Sequence, residues 1–221
     1  MVNKKLPKWV NKKEFELLLE EAKKQRDKCW KPRKKQYTKR GKRINAYITA
    51  MVLGFGAGLR ISEVTGLNKQ QEYTYKKKDQ EKAETKTITS EIPRLTFDKI
   101  QDRFIKIYGK GQKERTTYFP SRLFQRAGIR KDELKKILPI GDYDGHYYRS
   151  LQYWFSNLSK KVLKKKLSFH CLRHSFASIL AGSGKPLHEI QALTGHSRLD
   201  TLGIYTHANP EQTIKGMEDL F

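Results

Sequence analysis

The sequence predicts a mainly helical domain carrying one small antiparallel sheet, an α+β fold. Three observations lead there. Apolar residues recur at helical spacing near the start, with Phe15, Leu18, Leu19 and Ala22, and again from Ser121 onward. Residues 44–57 are almost continuously apolar, as a buried helix would be. Residues 92–119 instead carry strand-like runs: Ile92, Leu95 and Phe97, then Phe104, Ile105 and Ile107, then Thr116 to Phe119.

The elements follow in order. Asn11 can cap the first helix, and Glu14 three residues later completes a capping box. Residues 23–43 are densely basic, with Pro32 and Gly41 as breakers, and read as a linker or exposed loop. Gly58 can end the apolar helix, which leaves Arg60 at a turn. Ser62 can cap a short helix over 63–67. Residues 69–91 are polar and poor in large aliphatics; they read as a surface insertion with a composition suited to partial disorder. Gly109-Lys110-Gly111-Gln112 suits a hairpin turn between two strands. The later helices break at 139–145 and 182–186, and Pro186 suits the first turn of a helix that Gly195 ends. Ile214, Met217, Leu220 and Phe221 give the tail, residues 209–221, a near-helical apolar pattern.

Charge narrows the partners more than the fold. The 221 residues carry a formal net charge of +24. Such an excess of Lys and Arg points to a polyanion, nucleic acid before an anionic membrane surface, or else to a solvated basic face. Cys29 and Cys171 make no disulfide framework and suit a reducing compartment. Residues 1–7 lack the apolar core of a signal peptide, and the apolar run 46–59 is too short to span a bilayer. The expectation is a soluble cytoplasmic protein, associated with the nucleoid and not with a membrane.

A constellation near the C-terminus carries chemistry. His170-Cys171-Leu172-Arg173 is followed by Gly195-His196 and then by Tyr205. Cutting a phosphodiester through tyrosine needs a group that takes the phenolic proton, since free Tyr has a pKa of ~10. It needs guanidinium forks on the non-bridging oxygens, which stay charged at any working pH. It also needs an acid for the departing 5′-oxygen; each such contribution is commonly worth about 10²–10⁴ in rate. Arg60 and Arg173 are candidate phosphate clamps, Tyr205 the nucleophile, and His170 and His196 donors or acceptors. Lys110 is the candidate acid. No metal or other cofactor is required. His170 and His174 stand one helical turn apart, as zinc ligands can, but no acid or cysteine cluster completes a site.

Four ordered motifs tie these residues together. Gly58-Leu59-Arg60-Ile61-Ser62-Glu63 resembles the first arginine motif of the tyrosine recombinases, the phage-integrase and Xer-like family. Tyr108-Gly109-Lys110-Gly111-Gln112-Lys113-Glu114-Arg115 is similar to that family's hairpin lysine motif. His170-Cys171-Leu172-Arg173-His174 resembles its His-x-x-Arg box. Leu193-Thr194-Gly195-His196-Ser197 with Tyr205 resembles the final box and its nucleophile.

The resemblance implies the tyrosine-recombinase catalytic-domain fold, with residues 1–221 as a single catalytic domain. It implies site-specific recombination of double-stranded DNA through a 3′-phosphotyrosine at Tyr205. In that scheme Arg60 and Arg173 hold the phosphate with His196 as a further donor, Lys110 protonates the leaving oxygen, and His170 is the base. Glu63 and His174 stand behind them. Four protomers act on two duplexes, with the tail docking between neighbours. The insertion at 69–91 makes the Arg60–Lys110 spacing long for Xer-like members, and Lys113 rivals Lys110. The N-terminal helical domain that clamps the far face of DNA in full-length recombinases is expected to be absent. Rival functions are a type IB topoisomerase-like relaxation and a non-catalytic DNA-binding regulator. Glu114 and Arg115 read as part of a hairpin ion pair and as a phosphate contact, respectively.

Overall fold

A single buried helix, α2 (Lys39–Ala57), organises the computed structural model, which describes residues 8–75, 84–109, 113–141 and 146–195. From Ile44 to Phe55 nearly every side chain of α2 is buried, so it meets protein on all sides, as its unbroken apolar run requires. The first helix, α1 (Lys12–Asp27), packs along it, with Phe15 stacked on Phe55 at 3.9 Å between ring centroids. The expected capping box is formed: Asn11 Oδ1 accepts from Glu14 N at 2.8 Å, and Glu14 Oε2 accepts from Asn11 N at 3.1 Å.

The basic stretch 23–43 is more ordered than its composition suggested. Its first residues extend α1 to Asp27, and a minimal hairpin follows, β1 (Trp30–Lys31) and β2 (Gln36–Tyr37), joined by a 3-10 turn at Pro32–Lys34. Gly41 does not break the chain. It lies in the first turn of α2, where its N–H donates to the Thr38 cap.

Gly58 ends α2 as expected, with φ of +68°. A Cβ there would also stand 2.4 Å from the Phe176 ring, so both conformation and space demand glycine. The next helix, α3, runs Ile61–Thr65, earlier than the sequence suggested. Ser62 is buried inside it, and Arg60 takes the cap position, because Glu63 at the third helical position accepts the Arg60 N–H.

The expectation of partial disorder for 69–91 gives way, where the backbone is described, to an antiparallel ribbon. Strand β3 (Leu67–Tyr75) pairs with β4 (Glu84–Ile92), from Leu67 opposite Ile92 to Tyr75 opposite Glu84. Threonine, tyrosine and isoleucine through this stretch favour extended backbone despite its polarity. Phe97 belongs to a 3-10 turn, Phe97–Lys99, and not to a strand.

The predicted sheet has three strands in the order β5 (Ile100–Gln101), β6 (Phe104–Tyr108), β7 (Glu114–Tyr118), all antiparallel. Its inner face presents Ile105, Ile107 and Thr117 to the core, and Thr117 Oγ1 donates to Ala57 O at 2.9 Å. Its outer face exposes the opposed pair Phe104 and Tyr118.

Five further helices follow among the described residues: α4 (Ser121–Arg126), α5 (Lys131–Ile137), α6 (His146–Leu163), α7 (His170–Gly182) and α8 (Leu187–Thr194). Tyr147 and Trp154 of α6 close over Tyr47 of α2. The buried start of α7 packs on α2 from another side. Ser175 Oγ of α7 accepts from Val10 N at 2.7 Å, tying the start of the chain to this core. No described helix is long and apolar enough to cross a membrane. The tail 209–221 lies outside the described residues.

Candidate active site

Three arginines from three distant segments converge on one carboxylate. Glu63 sits on α3 with its side chain wholly buried. Its Oε1 accepts from Arg60 Nη1 and from Arg115 Nη1, each at 2.9 Å. Its Oε2 accepts from Arg115 Nη2 at 2.9 Å and from Arg60 N at 2.7 Å. Arg173 Nη1 lies 4.0 Å from Oε2. Burial pushes the Glu63 carboxyl up, but the Arg115 guanidinium, with Arg60 and Arg173 behind it, outweighs that and leaves the pKa below its ordinary value. Glu63 is therefore a fixed anion at neutral pH.

The same arginines cap the end of α8. Arg115 Nε donates to Leu193 O at 3.1 Å, Arg173 Nη2 to Thr194 O, and Arg60 Nη2 to Gly195 O at 3.3 Å. Three successive carbonyls at the negative end of a helix thus meet three guanidinium groups. Gly195 makes this turn possible. Its φ is +66°, and a Cβ on it would stand 2.8 Å from Arg115 Cδ.

The three arginines differ in access. The Arg60 side chain keeps 35% of its surface exposed, against 9% for Arg115 and 1% for Arg173. Arg173, carried on the first turn of α7, also donates through Nη1 to Gly58 O at 2.9 Å. It therefore joins the α2–α3 turn to the end of α8.

His170 opens α7 beside this cluster and is exposed, its ring edge-on to His174 at 4.6 Å between centroids. Desolvation by the surrounding protein, then the charges of His174, Arg173 and Arg60, pull the His170 imidazole down to about 4. His174 is lowered too, by burial and by Arg173. His170 is neutral at pH 7 and can accept a proton.

Of the residues singled out in the sequence, Arg60, Glu63, His170, Arg173 and His174 come together here. Lys110, His196 and Tyr205 lie outside the described residues, whereas the rival Lys113 is described and exposed. Two of their chain neighbours border the cluster, however. A Cβ on Gly109 would stand 3.7 Å from Glu63 Oε1, and Gly195 holds Arg60 Nη2 through its carbonyl. The hairpin base is closed by Gly109 N donating to Lys113 O at 2.9 Å.

The sequence reading of Arg115 as a phosphate contact missed its buried partner: it makes a two-toothed fork on Glu63, 52 residues away. The signal was strand parity: Arg115 and Thr117 share the inner face of β7, opposite Ile107 and Ile105, and an inward charge needs a buried partner.

Comparison with known proteins agrees with this architecture. A model of the phage integrase family matches residues 8–212, and the chain belongs to that family. It is similar to the tyrosine recombinase XerD of Chlamydia trachomatis, 32% identical over 140 residues, with 57% of this chain and 46% of that protein covered. It is also similar to the tyrosine recombinase XerC of Myxococcus xanthus, 31% identical over 172 residues, covering 72% of this chain and 49% of the relative. The chain thus spans about half the length of the curated relatives it matches. Among solved structures, the XerA recombinase superposes with a TM-score of 0.59 at 19% identity, covering 98% of this chain and 66% of that one. That likeness concerns the fold, which is the tyrosine-recombinase catalytic-domain fold.

Proposed function

We propose that the chain is the catalytic part of a site-specific DNA recombinase, cutting and rejoining strands through a 3′-phosphotyrosine at Tyr205. The observation that carries this reading is the arginine cluster held by buried Glu63, beside a neutral His170 and bordering the segments that lead into Lys110 and His196. The net charge of +24 supports a duplex DNA partner. One solved neighbour of the same fold is XerH bound to its difH substrate in a pre-cleavage complex.

In this reading Tyr205 Oη forms a bond to the scissile phosphorus as the bond to the 5′-oxygen breaks. The phenolic proton passes to His170, whose lowered pKa keeps its acceptor nitrogen open at neutral pH. Lys110 delivers a proton to the departing 5′-oxygen. Arg60 offers its exposed edge to a non-bridging oxygen. Arg173 gains such an oxygen when phosphate replaces the Thr194 carbonyl as the acceptor of Nη2. His196 adds a further donor, and Glu63 and His174 hold these groups in place. A 5′-hydroxyl of the partner strand reverses each step, so the phosphodiester count is unchanged and no nucleotide is hydrolysed.

Four protomers on two duplexes, joined through the tail 209–221, complete the proposed assembly, acting at the nucleoid in the cytoplasm. The test is covalent trapping on a pool of nicked duplexes with a randomised core. The wild-type chain should be recovered bound to DNA and Tyr205→Phe should not; equal trapping of both removes the nucleophile assignment.

A further inference from the structure

We propose that Arg115 is a positioning residue of the cleavage site: through Glu63 it fixes the carboxylate on which Arg60 rests, and so aims the exposed edge of Arg60 at the scissile phosphate. The inference rests on the strand-cleavage reading above.

Glu63 has two oxygens to share between two arginines. Arg115 takes both at once, at 2.9 Å each, in a fork that only a planar guanidinium provides. Arg60 takes Oε1 with one side-chain nitrogen and Oε2 with its backbone N–H. The plane of the carboxylate is therefore set by the Arg115 fork together with the Arg60 backbone N–H, and of these only the fork is a side chain separate from Arg60. That plane decides the direction from which Arg60 Nη1 meets Oε1, and so where the rest of the Arg60 guanidinium points.

Arg115 is built as a support. Its third nitrogen, Nε, donates to Leu193 O at 3.1 Å, so all three nitrogens engage protein atoms. Its side chain is 9% exposed, against 35% for Arg60. Gly195 adds an independent sign of the same design: the turn after α8 comes so close to the Arg115 stem that a Cβ would stand 2.8 Å from Cδ. Without Arg115, the nearest remaining guanidinium nitrogen besides those of Arg60 is Arg173 Nη1, at 4.0 Å. Arg60 would then close on the carboxylate with the donors that a phosphate needs.

In the cleavage step Arg60 forms and breaks no covalent bond. It holds a non-bridging oxygen while the Tyr205 ester forms and the 5′-oxygen leaves with the Lys110 proton. Losing Arg115 should therefore slow cleavage more than it weakens binding.

The experiment uses the full chain and a duplex recovered by covalent trapping with the wild type. Single-turnover cleavage at saturating DNA should fall by about 100-fold or more in Arg115→Ala, as expected for a misaimed catalytic group. DNA affinity at fixed salt should stay within about threefold, the pattern of an interaction needed in the transition state. Arg115→Lys keeps the charge but lacks the fork, and should fall nearly as far; a urea midpoint close to that of the wild type is the check that it folds, so that it carries the test should Arg115→Ala not fold. Combined with Arg60→Lys, Arg115→Ala should cost at least about tenfold less than the product of the two single losses, since both act through one contact.

Wild-type cleavage in Arg115→Lys, or losses that multiply in the double variant, would overturn the proposal. So would a salt slope reduced by about one, which would make Arg115 a phosphate contact in its own right. If the wild-type chain forms no covalent adduct, the cleavage reading itself falls, and this inference with it.

Discussion

The apolar seam around α2 and the ionic cluster around Glu63 are both buried, yet they answer to different rules. In the seam, Phe15, Ile48, Met51 and Leu53 are each almost fully buried and contribute by volume and shape. Around Glu63, one carboxylate offsets guanidinium groups from α3, β7 and α7, and each partner depends on the others being charged and correctly aimed. The seam stores stability in many interchangeable contacts. The cluster concentrates it in a few that have no substitute, and it lies where the proposed chemistry takes place.

Two substitutions of nearly equal size break or sharpen this contrast. Glu63→Gln removes the charge while keeping the shape, and should cost about 3–5 kcal/mol, because buried guanidinium groups lose their counterion. Leu53→Met, also shape-conserving, should cost less than about 1.5 kcal/mol. Urea denaturation of both variants checks this; equal losses would mean that the cluster behaves as ordinary packing.

Acid should act on the cluster next. The lowered pKa of Glu63 means that its charge contributes stability above the unfolded carboxyl value of ~4.3, and that this is lost as pH falls through the folded value. His170 adds a slope of the same sign. Its folded pKa of about 4 lies below the unfolded value of ~6.5, so the unfolded chain binds more protons between these limits and stability falls as pH drops across them. Urea midpoints from pH 7 to pH 4 should decline, less steeply in His170→Asn. An unchanged slope in that variant would show that the imidazole protonates freely in the folded chain.

The smallest effect belongs to the surface. Lys165 Nζ meets Glu14 Oε1 at 2.6 Å, joining the segment after α6 to α1, but the lysine is half exposed. Lys165→Met should change stability by about 0–1 kcal/mol, and added salt should shrink the difference.

The contrast also explains what the sequence could reveal. The seam was legible, because continuous apolarity over 44–57 can only be a buried element and Gly58 stops it by a local conformational rule. Arg60, Glu63, His170 and Arg173 were legible as motif residues. That three guanidinium groups would share one carboxylate and the end of one helix was not. Several of those contacts are long-range, Arg115 to Glu63 across 52 positions, Arg115 to Leu193 across 78 and Arg60 to Gly195 across 135, and they depend on strand register and on where α8 docks. The β3–β4 ribbon is not legible in the sequence, because the stretch is polar and alternation among polar residues is a weak sign of burial. The basic stretch 23–43 shows the reverse: its charge density suggests looseness, whereas the end of α1, the β1–β2 hairpin and the start of α2 order it with charged, mostly exposed faces.

The most direct test of the central proposal is to digest the trapped protein–DNA adduct and sequence the peptide that remains on the DNA. The account predicts a single peptide containing Tyr205, joined to a 3′-phosphate with a free 5′-hydroxyl on the other fragment. Attachment through Tyr108, Tyr118 or any other residue, or to a 5′-phosphate, would contradict it.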